Sequence, residues 1–251
     1  MSAYNNIDTA IAGLKVGLDS HVESFRAYEA IPFGKPCFGH VGDSLNVSTF
    51  YRDVAKIVFD ADFVTGNSIV ITVSGTAAAA VPFNTDHDTT AADVVAAITA
   101  LTGVDCLLDP ADSNNRTFLI QEKHVEITAA EAITGGGSQA TGTITYDTSM
   151  VFVGIAMFTQ KEASASAQYA ANEAVNVMTR GVLYGSAQAA TVEANATAYV
   201  DTDGANRGDW SNAGFSLDGA AIYRSDAASA ALAQVEVRAQ KQGTYAGYAF
   251  A

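Results

Sequence analysis

Positive charge is scarce in this chain of 251 residues. Its 13 Lys and Arg stand against 27 Asp and Glu, for a formal net charge of −14. Such a chain is repelled by phosphate backbones, which argues against nucleic acid as a partner. Charge of either sign is thin at 16%, while 49% of residues are hydrophobic, a balance that excludes a disordered chain. Even so, no apolar run reaches the roughly 18 residues that a transmembrane helix requires, and no membrane partner is expected. The opening stretch MSAYNNIDTAIAGLKVGLDS has no basic segment followed by a long apolar core, so no signal peptide is expected. Only two cysteines occur, Cys37 and Cys106, in stretches assigned below to different domains; both are expected to be reduced structural thiols.

What is present points to strands. Four prolines and 21 glycines are set in a chain rich in Thr, Val and Ala. Ile69, Ile71 and Val73 alternate with Val70 and Thr72 between turn residues. Val151, Val153, Ile155 and Met157 repeat that period, as do Val175 and Val177. Ala233, Val235 and Val237 alternate with Gln234, Glu236 and Arg238, giving one dry face and one wet face. Thr90–Leu101 reads as a helix, with Thr90 and Asp93 as a capping box, Val94, Ile98 and Leu101 as its apolar stripe, and Gly103 as its stop. A weaker helix candidate is Tyr4–Leu14. Around the clear helix, strands are expected near 55–60, 68–73, 116–121, 124–128 and 140–146, with turns at 109–115 and at Gly135–Ser138. The resulting fold class is mainly β: a β-barrel or sandwich-like domain, residues 1–54 and 148–251, interrupted by a small α+β module, residues 55–147. A continuous two-domain split is the competing arrangement.

Several short motifs invite a chemical reading. Gly42-Asp43-Ser44-Leu45 matches the block around the nucleophile of one serine esterase family, whose base comes from an Asp-x-x-His element near the C-terminus. The histidines here are His21, His40, His87 and His124. None follows an aspartate at that spacing, so a plain turn competes with the esterase around Ser44. Asp201, Asp203, Asn206 and Asp209 are oxygen donors of the kind that hold Ca²⁺. The EF-hand spacing fails at Ala205, Asn206 and Asn212, which leaves a solvated acidic loop as the competing reading. Arg207-Gly208-Asp209 reads as coincidence without a secretory context. Asp86-His87-Asp88 could shuttle a proton or bind a metal, but short polar residues are also expected just before a helix. Gly135-Gly136-Gly137-Ser138 lacks the Gly-Lys-Ser/Thr ending of a phosphate loop. Cys37 and Cys106 have no partners at metal-ligand spacing. The reading is therefore of no catalytic, cofactor or metal residues, and of a non-enzymatic protein. Trp210 reads either as a loop anchor or as an interface contact.

The flanking segments resemble the cement, or head-decoration, proteins of tailed bacteriophages. The resemblance rests on Ala30-Ile31-Pro32-Phe33-Gly34-Lys35-Pro36, on Val151-Phe152-Val153-Gly154-Ile155-Ala156, and on Tyr169 through Leu183 with its Val175-Asn176-Val177 and Arg180-Gly181 core. Gly219-Ala220-Ala221-Ile222-Tyr223 ahead of Leu232–Arg238 completes the set, over about residues 11–54 and 148–240. The insert resembles a small module of phage virion proteins through Phe59–Val64, Val81–His87, the helix ending Leu101-Thr102-Gly103-Val104, and Gly135–Thr141.

These resemblances imply a virion structural protein that binds the major capsid protein and stabilises the head from its outer surface. They also imply self-association as a homotrimer and synthesis in the host cytoplasm. Runs of small residues at 163–171 and 187–198 suit close-packed loops or arms, and the negative charge suits an outward-facing surface. Trp210 and Tyr199 are the candidate interface anchors, since buried aromatics dominate interface energetics; packing inside their own domain is the competing reading. Two other functions remain in competition, a phage tail or host-recognition protein and, more remotely, the serine esterase.

Overall fold

The computed structural model describes residues 12–40, 43, 45–158, 167–187, 190–202, 204–217 and 219–238. They form two compact units, one from the described residues up to Phe50 and from Met150 onward, the other from Tyr51–Ser149.

The first unit is built on a seven-stranded sheet. Its longest member, Ala174–Ala187, pairs antiparallel with Lys15–Ala27 along one edge. Its other edge serves two partners in turn: Met150–Ala156 opposite Val177 and Met178, then Leu232–Val237 from Gly181 onward. Pro36–His40 joins through Met150–Ala156, Ala221–Tyr223 through Leu232–Val237, and Asn46–Val47 adds in parallel to Lys15–Ala27. The alternation in Leu232–Val237 does what a half-buried strand requires. Ala233, Val235 and Val237 are buried, while Glu236 faces out to Arg224 and Arg238. Beneath the sheet, Ala27, Ile31, Phe33, Cys37, Val47, Ala156, Tyr169, Val175 and Val177 form one cluster. Phe33 meets Phe158 and Tyr169 edge-on, with ring centroids 5.3 Å apart in each pair. Each such side chain taken from water contributes about 1.5–3 kcal/mol.

The second unit packs two four-stranded sheets and one helix around a single core. One sheet has the order Gly142–Asp147, Val54–Phe59, Thr117–Glu122, Val104–Leu108. In the other, Asn67–Val73 pairs with Ala129–Gly135 and with the short strands Thr76–Ala77 and Val81–Pro82. Ile69, Ile71 and Val73 point into the core as their period demands, and the helix His87–Thr99 lays Ala91, Val94 and Ile98 on it.

The fold is mainly β and sandwich-like, and the helix follows the expected apolar stripe. The differences have physical reasons. Among the described residues no sheet closes into a barrel; the seven-stranded sheet runs out at Ala221–Tyr223 on one side and at Asn46–Val47 on the other. The helix starts one turn early because Asp86, not Thr90, is its N-cap: the Asp86 carboxylate accepts the Thr89 N–H at 2.8 Å. Thr90 is instead buried, its hydroxyl donating to the Asp86 carbonyl and accepting from the Asn84 N–H. The strand expected near 124–128 lies at Ala129–Gly135, and Val104–Leu108 is a strand where only the helix end was read. Of the candidate helix Tyr4–Leu14, residues 4–11 lie outside the described residues and 12–14 are not helical.

The Met150–Ala156 strand shifts register between Phe152 and Gly154. A Cβ added at Gly154 would stand 2.3 Å from the Met178 carbonyl oxygen, so only glycine lets this strand approach Ala174–Ala187 this closely. Gly154→Ala should therefore cost about 1–3 kcal/mol. Urea denaturation checks this; an unchanged midpoint would mean that the bulge is not under packing constraint.

Candidate functional site

The residues with a chemical reading are mostly engaged in structure. Ser44 and Gly42 lie outside the described residues. Their neighbour Asp43 organises the turn: its Oδ1 accepts the N–H groups of Leu45 and Asn46 at 3.0 and 3.1 Å, and its Oδ2 accepts the Asn46 amide. His40 is buried, and His21 bonds Thr179 Oγ1 through Nδ1 at 2.8 Å. His87 Nδ1 accepts the Phe63 N–H at 3.0 Å, which assigns the proton to Nε2, 3.2 Å from the Asn115 carbonyl. Asp86, as N-cap, is held below the usual carboxylate range by the Thr89 N–H it accepts. The Asp86-His87-Asp88 group thus closes a helix end and pins the loops beside it.

In the Asp201–Asp209 loop, Asp203 lies outside the described residues. Asp209 pairs with Lys35, so its charge is already met. The Asp201 N–H donates to the Asp209 carbonyl and the Gly208 N–H to the Asp201 carbonyl, which folds the loop on itself. Among the described residues no three His, Cys, Asp or Glu side chains gather to hold a metal. Cys37 and Cys106 are free thiols, and burial pushes each up to about 12.

Trp210 and Tyr199 sit on neighbouring strands of a three-stranded sheet made of Trp210–Ser211, Tyr199–Val200 and Phe215–Ser216. Trp210 has no exposed surface, and its indole N–H donates to the Gly34 carbonyl at 2.7 Å. It rests against Gly185, where an added Cβ would stand 2.9 Å from the indole nitrogen. Tyr199 is half-buried and keeps part of its ring accessible.

The apolar surface of the first unit lies elsewhere. Leu45 is 71% exposed and Tyr28 48%, on adjoining segments joined by bonds from the Arg26 N–H to the Leu45 carbonyl and from the Tyr28 N–H to the Val47 carbonyl. A leucine held outward by an Asp43-capped turn beside an outward tyrosine is a rigid contact point of low entropic cost. Neither residue stands out in the sequence, where Leu45 reads only as the end of the Ser44 block. A turn that places an apolar residue two positions after its capping aspartate is the available signal.

Compared with known families, residues 107–238 match the model described as structural cement protein (E217 gp24/Pam3 gp6), over more than half of the chain. The match begins inside the second unit and runs to the last strand of the first. No curated protein matches the chain.

Thiols this far above neutrality are poor nucleophiles. In the folded protein, Cys37 and Cys106 should resist iodoacetamide at pH 7.5 (about one unit below an ordinary thiol) and should both react in denaturant. Rapid alkylation of the native chain, read by mass, would show that burial does not control them.

Proposed function

Because the chain belongs to the phage structural cement protein family, we propose that it binds the major capsid protein lattice on the outer face of the head and stabilises it without catalysis. The family match over 107–238 is the observation that carries this reading. Physical chemistry supports it. A strongly negative chain is ill suited to lie against packaged DNA and well suited to an outward surface. Leu45, Tyr28 and the accessible part of Tyr199 supply apolar contacts on a hydrogen-bonded β scaffold. Trp210 supports that scaffold from inside. Contacts of this type bury on the order of 1,600 Å² each, and repetition over a lattice multiplies a modest individual affinity.

Residues 1–54 and 148–251 are proposed as the capsid-binding domain, with 55–147 dispensable for adhesion. Particles lacking the protein should assemble yet release DNA at a lower temperature, and adding back the full chain should restore resistance. Adding back a chain with 55–147 replaced by a short Gly/Ser linker should restore most of it. Equal heat stability with and without the full chain would overturn the cementing role. Failure of the shortened chain alone would move the capsid contact into 55–147.

A homotrimer is proposed as the binding form, because a shell offers three-fold positions where one contact repeated by symmetry bridges several subunits. Sedimentation of the free protein, together with its stoichiometry on particles, should give three copies per site. A monomer in both settings would overturn it.

A further inference from the structure

Ala129–Gly135 and Gly142–Asp147 follow one another in the chain, yet they pair into different sheets, and each lies at the end of its own. The alternation of antiparallel hydrogen bonds fixes which backbone groups they leave over. The Asp60 N–H donates to the Thr141 carbonyl, which continues the register of Gly142–Asp147 on Val54–Phe59. That register turns the backbone groups of Gly142, Ile144 and Tyr146 away from the sheet. The Ser74 N–H donates to the Thr128 carbonyl, so Ala129, Glu131 and Ile133 turn away from Asn67–Val73 in the same manner. The two edges face each other, because side chains already reach from one to the other. The Tyr146 hydroxyl accepts the Ala129 N–H at 3.1 Å and donates to the Ala129 carbonyl at 3.4 Å, the two bonds that a neighbouring strand would make. Glu131 Oε1 accepts the Gly142 N–H at 3.2 Å. Among the described residues, no strand pairs with the backbones of Ile144 and Tyr146 on one edge or of Glu131 and Ile133 on the other.

We propose that the cleft between these edges accepts an extended peptide strand bearing basic side chains, and that Tyr146 and Glu131 close it in the free chain. An unpaired strand edge is a template for strand addition, and an inward-pointing charge is a guard that natural sheets use against it. Glu131 is such a charge, since it shares a strand face with Ala129 and Ile133, which pack on the apolar core. Both guards can be displaced. Tyr146 is 39% exposed, so its ring can turn into water, and each guard gives up hydrogen bonds that an added backbone replaces. Charge selects the occupant. Residues 51–149 hold 13 of the Asp and Glu but only four of the Lys and Arg. Of those four, Lys56 and Arg116 are already held by Asp109 and Asp62. A basic strand would meet Glu131 near the Gly142 end of the cleft and Asp147 at the other. A second copy of the chain would bring the same negative charge and is repelled. The cleft lies wholly within the second unit, and the inference does not rest on the cementing role.

Titration of the full-length protein with a short, end-capped peptide of alternating Lys and Val, read by amide hydrogen exchange, tests the proposal. At saturation the Ile144 and Tyr146 amides should exchange about tenfold more slowly. A peptide of alternating Glu and Val should give no protection, and neither should the Lys peptide with Pro in place of its central Val, which cannot complete the ladder. Tyr146→Phe removes a guard and keeps the ring, so it should bind the Lys peptide about fivefold more tightly. Absence of protection with the Lys peptide would overturn the proposal. Equal binding of the Pro-containing peptide would also overturn it, by reducing the effect to bulk charge attraction. Unchanged affinity in Tyr146→Phe would remove the gating role of Tyr146. Protection that rises with protein concentration in the absence of peptide would assign the cleft to a second copy and overturn the basic occupant.

Discussion

The strand Ala174–Ala187 is the member on which the first unit depends. A strand of 14 residues spans far more than a typical pairing, so one of its edges can serve two partners in succession. Val175, Val177, Met178 and Leu183 on it are fully buried, which makes any slip of register costly, because a one-residue shift would turn each of them to the opposite face. Glycines on it and beside it answer the same constraint. Gly154 lets Met150–Ala156 approach the Met178 carbonyl closely, and Gly185 admits the Trp210 ring. Trp210 in turn holds the segment at Gly34 that leads into Pro36–His40. Sheet, loop and core are thus tied to one strand.

The second unit obeys a different rule. Its two sheets and one helix share a single apolar core, in which Ile57, Phe59 and Phe118 come from one sheet, Ile69 and Ile71 from the other, and Val94 and Ile98 from the helix. Polar side chains mark its borders. Asp86 caps the helix, Asp112 accepts the Thr117 hydroxyl and the Asn114 and Arg116 N–H groups, and Asp53 takes the Ser149 N–H at 2.7 Å. Asp53 and Ser149 stand at the two places where the chain enters and leaves this unit, so that bond joins its first and last segments.

The proposed cementing role on an outer surface calls for rigidity, adhesion and tolerance of solvent, and each property has a separate physical source here. Rigidity comes from antiparallel pairing and interlocked aromatics such as Phe38 with Phe50, Phe152 and Phe215. Adhesion has candidates in Leu45 and Tyr28, held outward by backbone bonds. Tolerance of solvent follows from a charge of −14 spread over a chain with few basic residues.

Much of this was legible in residue order. The period-two patterns at 69–73 and 233–237 and the apolar spacing of Val94 and Ile98 determined strands and helix by themselves, because burying one face of an element imposes its period locally. The phage cement resemblance was likewise legible in blocks such as Tyr169–Leu183, and the family match confirms it. Other features depended on neighbours that sequence does not name. Asp86 rather than Thr90 became the cap because Thr90 was needed in the core, and among the described residues the sheets stay open, with no strand pairing Ala221–Tyr223 to Asn46–Val47. Only tertiary structure could bring Lys35 against Asp209 or hide Trp210 while leaving Leu45 in water. Contact between residues far apart in sequence is a property of pairing and packing, and local pattern carries no record of it.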